Sequence, residues 1–151
     1  MIGIIIATHG KMSDGIKDAA ELIMGGTDSI ETLNLFHGDD VSELGNQLTE
    51  AINKVDEGNG TIIFADLFGA SPYNQSMIAI NGLPEDKKDK VYVITGVNLP
   101  MILVALTQNM VGASIEDAVA AILEEASNSM VVWPTNDDSD EGDTDDDEDD
   151  F

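Results

Sequence analysis

The 151-residue chain has no cysteine, which excludes a disulfide framework and a thiolate metal site. A reducing, cytoplasmic setting fits that absence. Arginine is also missing: six lysines stand against 30 acidic residues, for a formal net charge of −24. Asp137–Phe151 hold 11 of those acids, which leaves 19 against six lysines in residues 1–136, so the body is acidic without its tail. Such a surface is repelled by nucleic acid and anionic membrane and attracts basic protein partners. Solubility, or adaptation to a salty interior, would account for it equally. No stretch approaches the ~20 apolar residues of a membrane span. The N-terminal apolar run is too short for a signal sequence and lacks a basic flank. There is no G-x-x-x-x-G-K-[ST] loop, no G-x-G-x-x-G after the first strand and no G-x-S-x-G elbow, which argues against P-loop, dinucleotide and serine-hydrolase chemistry.

What is present begins with Gly3–Gly10, G-I-I-I-A-T-H-G. A short β-branched run bounded by turn residues reads as a buried strand of a parallel sheet, with His9 just past its carboxyl end. Ser13 or Asp14 is placed to cap a helix carrying Ile16, Ala19, Ala20 and Ile23, stopped at Gly25-Gly26. Residues 30–36 read as a second strand. Asp40 and Glu43 resemble a capping box before a helix with Leu44, Leu48, Ile52 and Val55 on one face. Thr61–Ala65 is a third strand, ended by Asp66. Ser71-Pro72 reads as an N-cap with proline opening a third helix to about residue 82. Residues 85–90 read as a charged loop and residues 91–95 as a fourth strand. Two helices follow, over 101–109 and from Ser114 to about residue 126. Met130–Trp133 reads as a last short strand, at an edge and antiparallel. An apolar edge of that kind is commonly covered by a second chain.

Alternation with short connections predicts an α/β fold: an open, mostly parallel sheet with helices on both faces, flavodoxin-like, in one domain over residues 1–133. The acidic tail, residues 134–151, has nothing to bury and is expected to be disordered. Its spacing from Asp137 to Glu148 roughly fits a calcium-loop template, a match expected by chance in so acidic a stretch. No metal or cofactor is implied.

The loops after strands one, three and four converge at one sheet edge, where ligands collect in such folds. They carry His9, Asp66 with Ser71, and Gly96 with Asn98. A carboxylate bonded to one imidazole nitrogen fixes the tautomer and leaves the other nitrogen nucleophilic. The helix start at Ser71 offers backbone N–H groups and a hydroxyl to an anion. Together these suggest phosphoryl transfer to and from His9. The alternatives are a capping role for His9 and a turn or cap role for Asp66. His37, beside Gly38 and two aspartates, reads as a turn residue.

Three motifs are similar to a known family: A-T-H-G at Ala7–Gly10, D-L-F-G-A-S-P-Y-N at Asp66–Asn74 and T-G-V-N-L-P-M at Thr95–Met101. The chain resembles, from Met1 to about Trp133, the enzyme IIA component of the mannose/fructose/sorbose family of the bacterial phosphoenolpyruvate-dependent sugar phosphotransferase system. The resemblance implies that His9 accepts a phosphoryl group from the histidine-containing phosphocarrier protein and passes it to an enzyme IIB serving a membrane sugar transporter. Asp66 would hold the imidazole. Ser71, Gly69, Ala70 and Thr8 would bind the phosphoryl group, with Gly10, Gly96 and Asn98 as supporting loop residues. It also implies a cytoplasmic homodimer that exchanges its last strand, with no metal and no cofactor. Two other readings share these residues. One is the carrier subunit of a dihydroxyacetone kinase, expected to lack the S-P-Y-N segment. The other is a non-catalytic flavodoxin-like module binding a flavin or nucleotide in the same crevice.

Overall fold

The structure, a computed structural model, describes residues 1–135. The β-branched run near the N-terminus forms β1 (Gly3–His9), followed by α1 (Met12–Met24), β2 (Ile30–Leu35), α2 (Val41–Val55) and β3 (Thr61–Ala65). Then come α3 (Ser71–Asn81), the one-turn α4 (Glu85–Lys88), β4 (Val91–Ile94), α5 (Leu99–Met110) and α6 (Ile115–Asn128). The four strands are all parallel, in the order β2-β1-β3-β4. β1 and β3, the two central strands, are buried along almost their whole length, as a strand covered on both faces must be.

Strand alternation sends successive side chains to opposite layers. Ile4, Ile6, Ile62 and Phe64 pack with Met101, Ile102, Ala118 and Ile122 of α5 and α6, and with Ala20 of α1. Ile5, Ala7 and Ile63 pack with Leu44, Leu48 and Ile52 of α2 and with Ala79 and Ile80 of α3. The sheet is thus sandwiched between two helical layers, the three-layer α/β architecture read from the sequence. Each fully buried Ile or Leu in these layers contributes about 1.5–3 kcal/mol of burial free energy. The expected α2 cap is present in part: the Asp40 carboxylate accepts the Ser42 N–H at 3.0 Å, while Glu43 bonds Asn46 in place of the reciprocal contact. Ser114 caps α6 by accepting the Asp117 N–H at 3.2 Å.

Four expectations need correction. Neither Ser13 nor Asp14 caps α1. The helix starts at Met12, Lys11 stands at the cap position, and the Thr8 hydroxyl accepts the Ser13 N–H at 2.9 Å. The Ser13 hydroxyl, fully buried, donates instead to Asn34 Oδ1. Ser71 is not the cap of α3 but its first residue, with Ala70 at the cap and the Ala70 carbonyl accepting from Asn74 N. Residues 85–88 wind into a helical turn, α4, closed by Lys87 N and Lys88 N on the Pro84 carbonyl. Finally, Met130–Trp133 forms no strand within the single chain, where all four residues are 73–87% exposed. A strand needs a neighbour for its backbone N–H and C=O groups, and within the described residues this segment has none. The acidic tail beyond residue 135, with its calcium-loop spacing over Asp137–Glu148, lies outside the described residues. Among the described residues no helix is long and apolar enough to cross a membrane.

Candidate active site

β1 and β3 are neighbours in the sheet and end side by side, so the residues that follow them meet at the carboxyl edge. His9 ends β1, with its side chain 45% exposed. Asp66 follows β3, with its side chain only 11% exposed. Asp66 Oδ2 lies 2.7 Å from His9 Nδ1 and also accepts the His9 backbone N–H at 2.9 Å. The other carboxylate oxygen, Oδ1, accepts the Leu67 N–H at 3.0 Å. Burial pushes the Asp66 carboxyl up, but the His9 backbone N–H, the imidazole and the Leu67 N–H together hold it below the ordinary carboxylate range. Asp66 is therefore ionised at neutral pH and accepts only, so His9 Nδ1 carries the proton. In the neutral imidazole this tautomer leaves Nε2 as the nitrogen with a free lone pair, available as a nucleophile.

The backbone around this pair is tied down from three sides. Gly10 takes a positive φ of 57° and its N–H donates to the Leu35 carbonyl at 2.8 Å, locking the turn after His9 to β2. Gly96, at φ 73°, donates its N–H to the Asp66 carbonyl at 3.2 Å, and Val97 N donates to Ala65 O at 3.1 Å. Asn98 caps α5 by accepting the Met101 N–H at 3.0 Å. Gly10, Gly96 and Asn98 therefore hold the loops around the pair in place.

The loop from Asp66 to Ser71 leads into the N-terminus of α3. Among the described residues the backbone N–H groups of Gly69, Ala70 and Ser71 have no acceptor, and neither has the Ser71 hydroxyl. The Asn74 side chain closes the loop by donating to the Gly69 carbonyl at 2.9 Å. Gly69 has φ 76°, a conformation that turns the chain sharply into the helix. Exposed N–H groups at a helix start suit an anion. Thr8 is different: it is fully buried and its hydroxyl is engaged by Ser13 N, so its side chain faces α1 and not the crevice.

One neighbourhood is missing from the sequence reading. An open cavity of about 490 Å³ borders His9 on the β2 side, lined by His9, Gly10, Phe36, His37, Asp39 and Val41 among others. The loop after β2 was expected only to turn the chain. The parallel pairing of β1 with β2, with His9 in register with Leu35, places that loop at the same carboxyl edge. The spacing of the sequence shows where strands fall but not which of them neighbours β1.

Comparison with known proteins fits this geometry. Residues 3–123 match the family described as "PTS system fructose IIA component". The mannose-specific EIIAB component of Escherichia coli (strain K12) is 27% identical over 124 residues. That alignment covers 82% of this chain and 36% of the relative, so the chain spans about a third of its length. The sorbose-specific EIIA component of Lacticaseibacillus casei is 29% identical over 129 residues, covering 84% of this chain and 89% of the relative. Among solved structures, phosphotransferase system component EIIA from Streptococcus agalactiae superposes with a TM-score of 0.77 at 26% identity, covering 88% of this chain and 98% of that one. The IIA protein associated with a fucose utilization operon in Streptococcus pneumoniae gives 0.73 at 27% identity, covering 86% and 91%. A family match across most of the chain, on the same parallel sheet that carries His9 and Asp66, shows that the chain belongs to the IIA components of the mannose/fructose/sorbose family of sugar phosphotransferase systems.

Proposed function

We propose that the chain is a phosphohistidine carrier. In this reading His9 accepts a phosphoryl group from the histidine-containing phosphocarrier protein and gives it to an enzyme IIB coupled to a membrane sugar transporter. The contact between His9 Nδ1 and Asp66 Oδ2, at 2.7 Å, is the observation that carries it, because it leaves Nε2 free and orients it.

The Nε2 lone pair forms a bond to phosphorus while the bond from phosphorus to the donor's nitrogen breaks. The electron pair of that bond leaves with the donor imidazole. His9 keeps its Nδ1 proton, and the positive charge that develops on its ring faces the Asp66 carboxylate. The reverse displacement, with a nucleophile of enzyme IIB, returns His9 to its starting tautomer. In a loose transition state, charge spreads over three phosphoryl oxygens. The unpaired N–H groups of Gly69, Ala70 and Ser71 and the Ser71 hydroxyl are the donors offered to them. Residues 1–133 form the carrier unit in this reading, and residues 134–151 take no part in transfer. The carrier works in the cytoplasm as a homodimer, with the exposed Met130–Trp133 segment completing its pairing on a second copy.

The test is intact-mass analysis after incubation with phosphoenolpyruvate, enzyme I and the phosphocarrier. One acid-labile phosphoryl group is expected on the wild type and none on His9→Ala. Labelling of both proteins would move the acceptor elsewhere. Labelling of neither, with the general components active on another IIA, would refute the carrier reading.

A further inference from the structure

The loop between β2 and α2 borders His9 but has no role in the transfer described above. It carries the chain's second imidazole, His37, which lines the 490 Å³ cavity together with His9. The turn itself does not need that ring. Gly38 supplies the positive φ of 86°, the Asp39 carboxylate accepts the Phe36 N–H at 2.8 Å, and the Asp39 N–H donates to the Phe36 carbonyl at 3.1 Å. His37 is exposed, and among the described residues its ring makes no hydrogen bond or ion pair. A side chain with no structural task, sharing an open cavity with the acceptor nitrogen's ring, points to a ligand.

The charges around it show what that ligand would need. Asp39 stands on the same loop; Asp40 and Glu43, at the start of α2, share the adjoining hollow with it. Asp66, at the end of β3, contacts the far side of the His9 ring through Nδ1 and does not line the cavity. At the start of α1 Asp14 faces Lys11. A phosphoryl group brings about two negative charges into a rim already rich in carboxylates. Among the described residues at these element ends, Lys11 and His37 are the side chains besides His9 able to answer it with positive charge. His37 does so when its ring carries both protons.

We propose, resting on the carrier reading, that His37 is a phosphoryl-binding residue that donates a ring N–H to a phosphoryl oxygen on His9 Nε2. In its cationic form it favours the phosphorylated state, so the phosphoryl group partitions toward this chain as pH falls.

The test compares wild type, His37→Gln and His37→Lys, each mixed with phosphorylated phosphocarrier and read by neutral intact-mass analysis between about pH 6 and 8. Melting curves check that all three are folded. His37→Gln is expected to lower the partition constant about fivefold at the acid end, and by less than about twofold at the alkaline end. His37→Lys, whose charge is fixed, is expected to hold the acid-end value of the wild type throughout. A ratio of wild type to His37→Gln that does not change with pH would overturn the role of His37 alone. A folded wild type that takes no phosphoryl group would overturn the carrier reading, and this proposal with it.

Discussion

At the scale of single residues, the chemistry depends on which nitrogen of His9 is free. Asp66 decides it by accepting from both the ring and the backbone of His9 through one oxygen. A hydrogen bond to a charged partner is worth about 1.5–3 kcal/mol, so Asp66→Asn is expected to slow phosphorylation of His9 by about ten- to a hundredfold. Quenched-flow labelling would measure it. Ser71→Ala removes one neutral donor, about 1 kcal/mol, and is expected to slow transfer roughly fivefold with the melting midpoint unchanged. The Asp66 carboxyl is held below its ordinary range in the folded chain. Its contribution to stability is therefore present above the unfolded value of about 3.9 and is lost as pH falls through the lower folded value. Denaturation of the wild type should steepen below about pH 4, and Asp66→Asn should remove that part of the slope. His9 and Asp66 are legible in the sequence because each follows a strand-like apolar run. The Thr8 side chain is turned into the core where His9 is exposed, because adjacent strand residues face opposite ways.

At the scale of elements, two connections are sensitive. Gly60, before β3, sits at φ 89°, and a Cβ there would lie 2.5 Å from Ile115 Cδ1 and 2.8 Å from the Lys90 carbonyl oxygen. Strain and overlap together make Gly60→Ala destabilising by about 2–4 kcal/mol, measurable by urea denaturation. The Met130–Trp133 segment is the other. Its apolar, β-branched pattern reads as a strand, yet in one chain it has no strand to pair with. If a second copy supplies that neighbour, Val131→Asp with Val132→Asp should shift sedimentation from dimer to monomer and leave His9 labelling intact. A wild type that sediments as a monomer would refute the pairing. Local signals made most elements legible: proline at the start of α3 and α5, and Ser114 at the start of α6. Strand order is not local. The sequence shows that strands alternate with helices, but not that β2 lies against β1, and so the His37 loop was left out of the converging set.

At the scale of the whole molecule, charge is unevenly placed. Four of the six lysines, Lys54, Lys87, Lys88 and Lys90, lie at the end of α2 and before β4, away from His9, and two of them pair with Glu31 and Asp56. The His9 end carries Asp14, Asp39, Asp40, Glu43 and Asp66 against Lys11. A basic partner is therefore steered to the carboxyl edge, and its association rate should fall as salt shortens the Debye length from about 10 Å at 0.1 M toward 3 Å at 1 M. The same salt should raise the melting midpoint by screening the self-repulsion of a chain with net charge −24. Transfer through this edge depends on one atom, Nε2 of His9, and ³¹P and ¹⁵N NMR of the phosphorylated chain tests it directly. The phosphoryl group is predicted on Nε2 of His9, with Nδ1 still protonated against Asp66. A phosphoryl group on Nδ1, or on His37, would contradict it.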